Sequence, residues 1–175
     1  TVNRMAVAEL ATPGQHFCPE GAHPLPEDFH LLTEFAMLAT PGDPFDPMEQ
    51  AIQQFSDRWL AGTEHVRDGR QPEREYPLSA DILAMTKVFA GNTPRQYVLA
   101  AKGAPEAIAD LCHLTPAQCG QIQTQVHAMA QRGWSLDGGT LRVLAMGDSI
   151  INDIMRSGWT GKLAEAYPKA RIQTT

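Results

Sequence analysis

The sequence predicts an α/β fold, an antiparallel twisted sheet flanked by helices. Three observations carry that expectation. Two segments in the first third repeat apolar residues at helical spacing, two strand-like runs meet around Gly91-Asn92, and the apolar run Tyr97 to Ala101 enters a glycine turn and a proline-led helix.

The first segment, to about Leu10, alternates Met5, Val7 and Glu9 as a strand does and stops in Thr12-Pro13-Gly14. A loop rich in Pro, Gly and His is expected from there to Pro26. It holds His16, Cys18 and His23, whose spacing matches no closed zinc site, so no metal is expected. From Glu27 to Ala39 the positions Phe29, Leu32, Phe35, Ala36 and Ala39 form one helical stripe, ended by Thr40-Pro41-Gly42. The next helix starts at Asp46-Pro47-Met48-Glu49, where Asp46 can cap, Pro47 suits the first turn and Glu49 can close a capping box. Met48, Ala51, Ile52, Phe55 and Trp59 supply its inner face.

Residues 62–73 read as an exposed loop, followed by Glu75-Tyr76-Pro77-Leu78-Ser79 and by a hairpin of Leu83–Phe89 with Gln96–Ala101. Pro105–Cys112 is a short helix, and Thr115-Pro116-Ala117-Gln118 caps a longer one running to Arg132. Leu141–Ala145 is a buried-strand candidate.

Composition narrows the function classes. The 175 residues, 43% of them hydrophobic, are enough for one real core. A net charge of -6 and the absence of any Lys/Arg block argue against nucleic acid or an anionic membrane as partner. Three cysteines without a CxxC pair fit reduced thiols of structural or incidental role. No apolar stretch approaches the ~20 residues of a membrane helix. The abrupt start at Thr1 suggests an excised piece, expected to be monomeric.

The residues around Lys102 make a compact ligand-binding corner. Gly103 lets a flat ligand approach the backbone, Pro105 sits where a helix needs no amide donor, and Lys102 supplies a fixed positive charge. The run Lys102-Gly103-Ala104-Pro105-Glu106 resembles the signature of the nucleotide-binding domain of P-type cation-transporting ATPases. Three further segments are similar to that family in the same order. Thr1-Val2-Asn3-Arg4-Met5 looks like the residues that follow the phosphorylation motif, Asp46–Ile52 like the segment whose glutamate meets adenine, and Glu75–Met85 like bacterial relatives.

That resemblance implies an ATP- or ADP-binding domain over residues 1–145, with residues 146–175 as an atypical tail. Glu49 would meet the adenine amine, Leu78 and Met85 would wall the ring, Lys102 would form the floor with Gly103 and Ala104, and Arg142 would face the phosphates. Such a pocket needs an apolar slot, a carboxylate and cations. On local chemistry alone Glu49 serves equally as a capping residue, Leu78 and Met85 as core, and Arg142 as a surface ion-pair partner. The implied setting is the cytoplasmic part of a bacterial membrane pump, a hydrolase and translocase. There the domain would work with phosphorylation and actuator domains and with Mg²⁺. The catalytic aspartate would lie upstream of Thr1, so no catalytic residue is assigned and the piece should bind ATP without turning it over.

Two positions depart from the animal calcium pumps of that family, where a stacking phenylalanine matches Leu78 and a lysine matches Leu83. Losing an aromatic stack and a cation forfeits ~1–2 kcal/mol each, which predicts ATP affinity of sub-millimolar to millimolar order. Lys87 matches no functional position of the family.

The tail breaks from the pattern. Residues 134–140 intervene where relatives pass directly from Arg-Gly to Leu-Arg-Val-Leu-Ala, and Met146-Gly147-Asp148-Ser149 resembles the first block of GDSL (SGNH-type) esterases. That resemblance implies Ser149 as a nucleophile. No histidine follows it in this sequence, so it lacks the base such a serine requires. A truncated esterase and a nucleotide-free interaction module are the alternative readings.

Overall fold

The computed structural model describes residues 5–19, 23–65, 69–91, 93 and 96–133. Over these residues the chain is a mixed α/β fold with two antiparallel sheets and four α-helices. Strands β1 (Leu10–Thr12) and β2 (Gln15–Phe17) form a hairpin about Pro13-Gly14, with Gly14 at a φ of 82°. Part of the expected Pro/Gly/His loop is therefore a strand. Its alternation is too short to stand out in sequence, and the left-handed turn that pairs it needs Gly14.

A single 3-10 turn at Glu27–Phe29 leads into α1 (His30–Leu38), and α2 (Pro47–Trp59) follows. Asp46 caps α2 through its Oδ1, which accepts from the amides of Met48 at 2.8 Å and Glu49 at 3.3 Å. The inner face of α2 buries Ala51, Ile52, Phe55 and Ser56, while Met48 stays at the rim. Val7, Leu10, Leu25, Phe29, Leu32, Phe55 and Leu60 form one core cluster, against which Phe17 and Trp59 pack. Burying a side chain of the size of Phe29 contributes about 1.5–3 kcal/mol. Helix α1 thus holds the hairpin with its first turns.

The second sheet has the order β3 (Arg74–Tyr76), β4 (Ala84–Ala90), β5 (Tyr97–Gly103). Its register places Glu75 opposite Lys87, Lys87 opposite Ala100, and Met85 opposite Lys102. Because side chains alternate along a strand, Met85, Lys87, Phe89, Val98, Ala100 and Lys102 share one face. The later turns of α1 cover that face, with Phe35, Leu38 and Ala39 packed on Phe89, Ala100 and Val98. The opposite face carries Tyr76, Ala84, Val88 and Leu99 and is covered by Ala107, Ile108 and Leu111 of α3 (Pro105–Leu111). The sheet is therefore a middle layer between α1 and α3.

Helix α3 ends with His113 in the left-handed region at φ 50°, donating its amide to Asp110 while Leu114 donates to Ala109. This is a Schellman closure built on a histidine instead of glycine. Helix α4 (Pro116–Gly133) begins with a reciprocal cap, in which the Thr115 amide donates to Gln118 Oε1 and the Gln118 amide donates to Thr115 Oγ1. Among the described residues no helix is long and apolar enough to cross a membrane.

Candidate functional site

The site is built at the end of the sheet where β5 hands over to α3. Lys102 is the penultimate residue of β5, and its side chain points to the face shared with Met85. Glu49 stands in the first turn of α2. Asp46 accepts the Glu49 amide, while the Glu49 carboxylate reaches away from the cap to the sheet. Lys102 Nζ donates to Glu49 Oε1 at 2.5 Å. Both side chains are mostly covered, so the pair is shielded from the screening that makes surface ion pairs weak.

Leu78 and Leu83 flank this end of the sheet. The turn between β3 and β4 is pinned by the Ser79 amide on Ile82 O and the Ile82 amide on Ser79 Oγ, and it leaves Leu78 61% and Leu83 55% exposed. Met85 is half-buried beside Lys102. Leu78, Leu83 and Met85 thus place apolar side chains at the same end of the sheet as the covered Lys102–Glu49 pair. Phe45, in the link before α2, is 96% exposed and no pattern in the sequence marked it.

Gly103 has a structural reason of its own. A β-carbon there would lie 2.5 Å from Ala84 Cα and 2.6 Å from Ala84 Cβ and would strike the Leu83 carbonyl oxygen, so the close strand pairing excludes any side chain. The amide of Ala104 donates to Leu83 O at 2.9 Å, which locks the strand-to-helix corner and occupies that amide. Pro105 takes the first helical position, as the sequence predicts. Arg142 and Ser149 lie outside the described residues, as do the Leu141–Ala145 strand candidate and the opening Thr1–Arg4.

Lys87 proves to be structural. It is only 6% exposed, with Nζ donating to Thr40 O at 3.2 Å and standing 3.4 Å from Glu75 Oε1. The backbone carbonyl at the end of α1 and the carboxylate on β3 together satisfy a cation that sequence alone leaves without a role. On the far side of the sheet, a cavity of about 450 Å³ lies between α3 and α4, lined by Glu106, Ala109, His113, Cys119, Ile122 and Val126. Cys112 sits nearby in partial burial, which pushes its thiol up to about 11. It is therefore a poor nucleophile at neutral pH.

The chain is 30% identical over 107 residues to the sodium/potassium exporting P-type ATPase cta3 of Schizosaccharomyces pombe. The chain contains a P-type ATPase-related region. The match covers 61% of this chain and 10% of the yeast protein, so the chain spans about a tenth of that relative's length. No family model matches the chain.

Proposed function

We propose that residues 1–145 are the nucleotide-binding domain of a P-type cation pump, with residues 146–175 as an appended segment. The observation that carries this reading is the Lys102–Glu49 pair, which brings the required cation and carboxylate together beside an apolar rim at one end of the sheet. The similarity to a P-type ATPase supports the setting.

In this reading Glu49 accepts a hydrogen bond from the exocyclic amine of adenine, Leu78 and Met85 enclose the ring, and Lys102 forms the floor beneath it. Gly103 and Ala104 serve this site by fixing the strand-to-helix corner that holds Lys102, since the Gly103 face is packed on Leu83 and Ala84 and the Ala104 amide is bonded to Leu83 O. Arg142 would add a second cation. The bound ATP supplies the γ-phosphoryl group, transferred with Mg²⁺ in the intact pump to an aspartate outside this chain. The domain would meet the phosphorylation and actuator domains of the same pump on the cytoplasmic side of the membrane. By itself it holds ATP or ADP without turnover.

The pairing of Lys102 with Glu49 adds a condition to this scheme, because nucleotide must compete with an ion pair that is already made. Together with leucine at 78 and 83, this favours binding of sub-millimolar to millimolar order. The test is an amide-shift titration of the chain with ATP and ADP. Saturable movement of resonances around Glu49, Leu78 and Lys102 is expected, and stillness of all three at saturating nucleotide refutes the reading.

A further inference from the structure

We propose that Glu9, His16 and Cys18 form a binding site for a zinc-class divalent cation on the first hairpin. The site is separate from the Lys102 corner and does not depend on the nucleotide reading. The hairpin register pairs Leu10 with Phe17 and Ala11 with His16. Carried one residue further, it sets Glu9 across from Cys18. By strand alternation Glu9, Ala11, His16 and Cys18 then share one face, while Leu10 and Phe17 turn to the core. Ala11, opposite His16, has nothing beyond its β-carbon, so the imidazole can lean across to Glu9.

The three donors converge. The ligand atoms of Glu9, His16 and Cys18 all lie within 4.8 Å of one another, with His16 Nε2 in contact with Glu9 Oε1 and 3.9 Å from Cys18 Sγ. For zinc bond lengths of about 2.0–2.1 Å to nitrogen and 2.3 Å to sulfur, tetrahedral coordination sets N and S about 3.5 Å apart, so small side-chain adjustments suffice. A carboxylate, an imidazole and a thiolate are a borderline-soft donor set, which favours Zn²⁺ or Co²⁺ over Mg²⁺ or Ca²⁺.

Burial gives the site an inside and an outside. Glu9 is fully buried, whereas His16 and Cys18 are exposed, so the cation would sit at the mouth of the hairpin with a carboxylate beneath it. Binding replaces the His16–Glu9 contact by two metal–ligand bonds, and the proton shared in that contact and the thiol proton of Cys18 leave to solvent. Three protein ligands leave a fourth position for water. Glu9 also explains why spacing alone hid the site. His16 and Cys18 are neighbours in sequence, but the buried ligand arrives from the other strand.

Co²⁺ titration of the reduced full chain, followed optically, tests this. One equivalent of Co²⁺ should bind with a thiolate-to-cobalt charge-transfer band, and Zn²⁺ should displace it. Cys18→Ser should abolish the band, and His16→Ala should weaken binding about tenfold or more, since even outer partners of metal ligands are worth that factor. Cys119→Ser should change neither. Circular dichroism shows whether each variant is folded, and the exposed Cys18 position makes its variant the deciding one. Absence of the band at millimolar Co²⁺, or its persistence in Cys18→Ser, overturns the proposal.

Discussion

Lys102 and Glu49 stand 53 positions apart in the chain, yet their charged ends meet at 2.5 Å with side chains only 16% and 14% exposed. A partly covered pair of this kind costs more to break than to replace, because removing one member strands the other in a poorly solvated place. Glu49→Gln and Lys102→Met should each lose about 1–3 kcal/mol of stability, and the double variant less than their sum. A urea double-mutant cycle measures the coupling. Additive losses would mean that the contact is not formed in solution.

Lys87 should not behave as an interchangeable surface charge. Its ammonium is covered and held by Thr40 O and Glu75, so Lys87→Ala leaves a buried carbonyl without its donor. We expect a stability loss of about 1–3 kcal/mol from that unmade bond. In nucleotide titrations Lys102→Ala should weaken binding more than Lys87→Ala, once both are compared at temperatures where each is folded. Equal weakening would point to nonspecific charge attraction.

The α3 terminus offers a gain. His113 holds a left-handed φ of 50°, a conformation that costs a side-chain-bearing residue about 1–2 kcal/mol and glycine little. Part of that gain is lost to the greater freedom of glycine in the unfolded chain. His113→Gly should therefore raise stability by about 0.5–1 kcal/mol, and His113→Val should lower it, as read from urea midpoints.

Cys112 sets an alkaline limit. Its thiol is raised from 9.0 to about 11 by burial, so between these values the unfolded chain gives up the proton first. The contribution to stability is fully present below pH 9 and is lost as pH rises through about 11. Unfolding measured at pH 8 and pH 10.5 should show a smaller alkaline loss in Cys112→Ala than in the parent chain. Iodoacetamide at pH 8 should modify Cys112 more slowly than the exposed Cys18.

Much of the fold was legible because its signals are local. The Asp46 and Thr115 caps, Pro47 and Pro105 at helix starts, and the hairpin that ends in Lys102 all depend on residues within a few positions of one another. Strand β2 was not legible, since three residues are too few to establish a period. The Glu49 carboxylate meets Lys102 in a contact that no window could contain, and the burial of Lys87 depends on Thr40, 47 positions away, and on Glu75 across the strand pair. Glu9 reads in sequence as one more alternating residue, because its meeting with His16 and Cys18 exists only after the hairpin closes. Charges are placed by tertiary contacts, and sequence windows see mainly secondary ones.

The crowding at Gly103 bears on how this chain can change over generations. Every base change in a glycine codon that alters the amino acid adds at least a β-carbon, and at position 103 that carbon meets Leu83 and Ala84 backbone rather than a yielding side chain. The position therefore has no adjacent amino acid to drift into. Variation in the neighbourhood must pass through Leu78, Leu83 and other open positions, where the rim can be rewritten while the corner that aims Lys102 stays fixed.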